Sequence, residues 1–347
     1  MSQGYRYSYR RLLGVIVMSS LCAAAAFLAS VLWGEEALSL SGVWRGEFTD
    51  SQIFYSVRLP RVVLAAVVGA SLAAAGSVLQ SLTRNALADP YVLGVSGGAA
   101  LGATVALALG WGGISAVLGF SAVSLLAWAG AVAATVLVLA VGRLAGGGRS
   151  DTTLLAGVIF NAFALAAIIF IKALVSPDRL GEVLFWLAGQ LGPQPASTLL
   201  MTGVLEAGVL TAMWFLSHRL NVLSLGEDEA TAMGIDVPKM RWLLLGLASL
   251  AVAAGVALAG LVGFVGLLVP HLARLWVGPD ARLSLPASVG MGAAFLMLAD
   301  LGSRALFNVF NTFPPVGVMT ALLGAPVFLW LLVRANSRGF RERPSAF

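Results

Sequence analysis

Few side chains in this sequence are spaced for covalent chemistry. His218 and His271 are the two histidines, and neither has a cysteine or carboxylate at metal-ligand spacing, which leaves structural or interfacial roles. The lysines are Lys172 and Lys239, and neither ends the G-x-x-x-x-G-K-[ST] run that cradles nucleotide phosphates. The chain therefore offers no catalytic or metal-binding set and no cofactor site of its own. If ATP and magnesium are used, a separate ATPase subunit must hold them. Cys22, the single cysteine, sits in an apolar run and cannot form an intrachain disulfide.

Acids within apolar runs are the remaining chemistry. Glu206, Asp300 and Asp89 could couple transport to an ion or proton gradient, a thin set for that purpose. Asp300 with Arg304 one helical turn on suits either an ion pair within one helix or a docking surface. Asn85 and Asp89-Pro90 interrupt one apolar region, and Gly260 to Gly266 followed by Pro270-His271 interrupts another. Such breaks either line a cavity or gate, or simply end ordinary spans.

One polar stretch of substance remains, 222–239, continuing to Arg241. Gly226 precedes three acids, Glu227, Asp228 and Glu229, which favour the positive N-terminus of a short helix, and Gly234 suits its C-terminal cap. Ala230, Met233 and Ile235 would offer a partner an apolar patch. A solvated loop is the plainer alternative.

The elements that position these groups follow from composition. Of 347 residues, 59% are hydrophobic and 11% charged, against roughly 25% charged in a soluble domain. Lipid must cover what water cannot. The net charge of +5 is spread between apolar runs, without the dense aromatic-interleaved patch that nucleic acid requires. A membrane-embedded transferase would need a histidine- or acid-rich metal motif, which is absent.

The sequence predicts an all-α polytopic membrane protein of about ten transmembrane helices in a single domain, 1–347. The spans fall near 12–33, 59–81, 90–109, 114–142, 152–175, 197–217, 240–259, 260–277, 285–305 and 315–334. The first is too long for a signal peptide and is read as uncleaved. With a short N-terminus, 1–11, and a C-tail, 335–347, both in the cytoplasm, most of the 21 lysines and arginines lie inside. Arg45, Arg58, Arg61, Lys172, Arg179 and Arg304 remain outside. The stretches from Arg58 and Arg241 each run through a small-residue helix into a broken segment, the pattern of an inverted repeat.

Several ordered motifs resemble the FecCD family, permeases of importers for iron siderophores, haem and cobalamin. They are Arg58-Leu59-Pro60-Arg61, Gly69 to Gln80, Asn85 to Pro90, Leu93 to Ala99, Leu225-Gly226-Glu227 to Met233-Gly234-Ile235, Gly263 to Arg274, and Leu322 to Phe328. The resemblance covers roughly 55–335.

It implies a type II ABC importer permease fold, paired as a homodimer around the translocation path. The implied partners are two cytoplasmic ATPase subunits, a periplasmic or extracellular substrate-binding protein and membrane lipid, in a bacterial inner membrane. By the same resemblance, Leu225, Gly226, Glu227, Asp228, Glu229, Ala230, Met233, Gly234 and Ile235 couple to the ATPase. Arg58, Arg61 and Arg304 receive the binding protein, and Asn85 and Leu87 form a cytoplasmic gate. A second constriction strand would fall near Ser150 and Asp151. Ala86 replaces a proline common in relatives.

Overall fold

A computed structural model describes residues 8–34, 40–112, 114–117, 119–146, 150–307 and 311–341. Seven helices are long and apolar enough to cross a membrane, and three shorter apolar ones accompany them. Together they match the expected ten spans.

The first, α1 (Tyr9–Leu32), starts on a Ser8 cap and ends at Trp33, so the two ends of the bundle are called here the Arg11 face and the Trp33 face. Short helices α2 (Leu40–Arg45) and α3 (Phe48–Gln52) lie at the Trp33 face. A π-helical turn, Ile53–Arg58, then feeds α4 (Leu59–Leu82), making one rod over Phe48–Leu82. The window of that rod is 83% buried, which makes α4 the axis of the bundle.

The chain breaks at 83–94, with a single 3-10 turn at Pro90–Leu93, and resumes as α5 (Val95–Ala108). A small hairpin, β1 (Ser115–Val117) and β2 (Phe120–Ser121), leads into α6 (Ala122–Gly146). Next come α7 (Ser150–Leu174) and a short amphipathic α8 (Pro177–Leu187). They are followed by α9 (Ala196–Phe215), α10 (Ser217–Leu223) and α11 (Glu227–Ala232). Helix α12 (Val237–Ala259) breaks at Gly260–Phe264 before α13 (Val265–Val277). Last are α14 (Ala281–Ala305) and α15 (Val316–Arg341).

Two expected spans therefore differ from continuous helices. Thirteen or fourteen helical residues reach about 20 Å at 1.5 Å per residue, short of the roughly 30 Å hydrocarbon core. Non-helical chain supplies the rest of the crossing. The stretch expected from 114 likewise opens with the hairpin, and its helix begins only at Ala122.

Helices approach closely because glycines remove the side chain at crossings. A Cβ on Gly69 of α4 would strike the Gly292 carbonyl of α14, and one on Gly98 of α5 would strike the Gly130 carbonyl of α6. By contrast, only 17% of the α7 window is buried, and Leu155, Ile159, Phe163 and Phe170 point outward. In water such a face would be a liability; in a bilayer lipid covers it.

The α4–break–α5 and α12–break–α13 units run in opposite directions and pack together, with Val68 against Gly255. Their antiparallel sense is the one an inverted repeat requires.

Candidate coupling, docking and gating sites

The polar stretch does form a helix. α11 begins at Glu227 directly after Gly226, with all three acids in its first turn. Its C-terminus closes as expected: Gly234 has φ +80°, and the Ile235 N–H donates to the Ala230 carbonyl at 3.0 Å. That long-loop bond is the Schellman pattern a left-handed glycine permits.

Glu227, itself exposed, accepts from the Arg241 guanidinium at 2.6 Å, and Asp228 and Glu229 are exposed beside it. Ala230 is fully buried, so it joins the core and not the expected surface patch. The exposed apolar side chains here are Leu225 and Met233, with Ile235 half-buried.

This segment is pinned to the bundle. Asn221 of α10 donates to the Asp280 carboxylate at 2.7 Å and accepts from the Ala281 N–H at 2.7 Å, fastening α10 to the start of α14. Burial opposes ionisation of Asp280, but hydrogen bonds from Arg282 and Asn221 outweigh it and hold the carboxyl below its ordinary range.

At the Trp33 face the three singled-out arginines converge. The Asp300 carboxylate accepts from Arg61 and from Arg304, joining α4 to α14. Arg304 also donates to the Ser30 and Trp33 carbonyls, and Arg58 to the Val31 carbonyl. The last carbonyls of a helix have no intrahelical donor, and these guanidinium groups supply one to α1. A docking role requires these three arginines to reach the surface. Instead Arg58 and Arg304 are buried, and Arg61 keeps partial exposure against the Phe313 ring.

The break after α4 presents Asn85 and Leu87 at the surface of the Arg11 face, where the Asn85 side chain accepts from the Leu87 N–H. The residues that fix the break were not singled out from sequence. Tyr91 exchanges two bonds with Val262, its hydroxyl donating to the carbonyl at 2.6 Å and accepting from the N–H at 2.7 Å. Asn161 of α7 donates to the Tyr91 carbonyl at 2.8 Å. Both are polar groups inside apolar sequence, a signal that could have drawn attention to them. For the second constriction, Ser150 opens α7, and the side chains of Ser150 and Asp151 lie outside those described.

His218 is exposed on α10, and His271 sits edge-on to Phe328. Among the described residues no group of three His, Cys, Asp or Glu could hold a metal.

The architecture thus has an acidic helix with exposed apolar neighbours at one face, an arginine cluster at the other and two broken helices between. Residues 21–334 match the family model of the FecCD transport family. The chain belongs to the FecCD family.

This FecCD protein is 42% identical over 287 residues to the cobalamin import system permease protein BtuC of Halobacterium salinarum, covering 82% of this chain and 74% of that one. It is 36% identical over 343 residues to the hemin transport system permease protein HmuU of Yersinia pestis, covering 96% and 98%. A solved structure described as an inward-facing metal-chelate type ABC transporter superposes with a TM-score of 0.82 at 30% identity, covering 93% of this chain and 99% of that one. This FecCD chain is a multi-pass ABC importer permease of the type II fold, a transport subunit and not an enzyme.

Proposed function

We propose that this FecCD permease carries an iron chelate, as siderophore or haem, or cobalamin across a bacterial inner membrane. The Arg11 face lies in the cytoplasm, since most lysines and arginines collect there. Two copies pair around the path. Two ATPase subunits, holding ATP and magnesium, seat on α10–α11, and a substrate-binding protein docks at the Trp33 face, where Arg61 is the most accessible of the three arginines. Asn85 and Leu87 narrow the cytoplasmic end.

The observation that carries the reading is α11 itself, a capped acidic helix with Leu225 and Met233 exposed beside it. An amphipathic protrusion of this kind suits a cleft in a partner.

An ion-coupled transporter is the competing reading, and its acids are mostly engaged. Asp300 is bonded to two arginines and Asp89 caps the Tyr91 N–H. Glu206, buried in α9, is what remains.

The test is ATP hydrolysis and uptake in liposomes containing the chain with its ATPase, with and without binding protein. Wild type is compared with a variant carrying Asp228→Ala, Glu229→Ala and Met233→Ala. Glu227 is left in place because it neutralises the buried Arg241. The variant is expected to lose ATPase assembly or stimulation. Uptake that follows a proton or sodium gradient, with no ATPase associated, would sink the importer reading.

A further inference from the structure

At the Trp33 face an open pocket of about 810 Å³ lies between the ends of α5 and α12, the start of α6 and helix α8. The motifs for coupling, docking and gating touch none of its residues. Its size lies within the range that holds a bulky small molecule.

The lining chemistry is one-sided. Ser121, Ser124, Gln190 and Gln194 bring hydroxyl and amide groups, which donate and accept without charge. Phe185 and Trp186 supply flat apolar surface. Glu182 is the sole ionisable residue among the fourteen that line the pocket. It is exposed and makes no ion pair among the described residues.

Arg179, one turn earlier on α8, does not line the pocket. Its guanidinium donates to the Ala108 carbonyl at 2.6 Å, at the end of α5. The Gln190 backbone is fixed by its N–H donating to the Ala259 carbonyl at 2.8 Å, and the Ser121 and Ser124 hydroxyls bond each other at 2.9 Å.

An anionic chelate entering here would lose water without gaining a cation, and would face a carboxylate. A neutral or cationic chelate with an amide-rich rim meets matching partners on every side. We propose that this pocket is a cargo-contact site selecting bulky metal chelates without net negative charge, and that Glu182 enforces the selection. The proposal rests on the importer reading above and narrows its cargo. Ferric trihydroxamates and cobalamin share the required chemistry, whereas haem and ferric tricatecholates carry the wrong charge.

The experiment uses the full-length permease in zwitterionic nanodiscs, without ATPase or binding protein. Equilibrium dialysis is run against a neutral ferric trihydroxamate, cobalamin, haem and a trianionic ferric tricatecholate. Saturable binding of the trihydroxamate or of cobalamin, about tenfold or more tighter than either anion, is expected, and which of the two binds identifies the source. Glu182→Lys should cut that preference by about tenfold or reverse it, with Glu182→Gln between.

Equal or tighter binding of haem or tricatecholate overturns the proposal, as does an order of affinities unmoved by Glu182→Lys or no saturable binding at all. These outcomes leave the importer reading intact, because ATPase association and ATP-driven uptake are measured separately in the assembled complex.

Discussion

The Asp300 carboxylate is shared between two arginines on different helices, with Arg61 at 2.8 Å and Arg304 at 3.0 Å, and it has no solvent exposure. One anion therefore offsets two cations. Asp300→Asn keeps the shape and removes the charge, leaving the Arg61 and Arg304 charges without their shared counter-ion; a loss of about 3–5 kcal/mol is expected. The check is the thermal unfolding midpoint in detergent. An unchanged midpoint would mean that the arginines find other partners.

Tyr91 joins the two broken segments through one hydroxyl. Tyr91→Phe retains the ring and orphans both the Val262 N–H and its carbonyl, at a cost of about 1–3 kcal/mol. Hydrogen exchange should quicken at 260–264. Exchange that stays slow there would show that the segment is held by other contacts.

Two glycines should respond in opposite directions. Gly69→Ala forces a methyl against the Gly292 carbonyl and is expected to cost about 1–3 kcal/mol. Gly208→Ala, on α9 with open space around its Cα, should be neutral or stabilise by about 0.5–1 kcal/mol. Paired midpoints of the two variants decide it.

Asp280 gives a pH test. Its folded pKa lies below the unfolded value of about 3.9, so its contribution is present above that value and is lost as pH falls through the folded pKa. Asn221→Ala should destabilise by about 1 kcal/mol at neutral pH and flatten the loss of stability as the pH falls through the carboxylate range. An equally steep profile in the variant would place the acid sensitivity elsewhere.

The spans were legible because hydrocarbon thickness imposes a length on every apolar run, and α1, α9, α12 and α14 fall close to their expected limits. The broken crossings were legible as composition only. Asp89-Pro90 and the glycines from Gly260 announced an interruption, but Tyr91 meeting Val262 depends on how two distant segments pack. Helix α8 was missed because it is amphipathic and too short to span. The pocket that it lines was missed with it.

Motif spacing singled out Arg58, Arg61 and Arg304 but could not reveal their burial. That arises from the bare carbonyls at the end of α1, 271 and 274 residues away in sequence from Arg304. Likewise α11 was predictable from its acids and Gly234, while the inward turn of Ala230 and the Glu227–Arg241 bond required the packed structure.

Helix α14 is gripped at both extremities, by Asn221 at Asp280 and by Arg61 at Asp300. Its 25 residues measure about 37 Å, enough to traverse the bilayer. Pro286, which lacks an N–H, is its one built-in weak joint, a turn and a half above the Asn221 anchor. A force applied at either end of the bundle thus has a stiff strut available, clamped at both extremities. Tilting either clamp obliges the other to follow, unless the bend is taken up at that single proline.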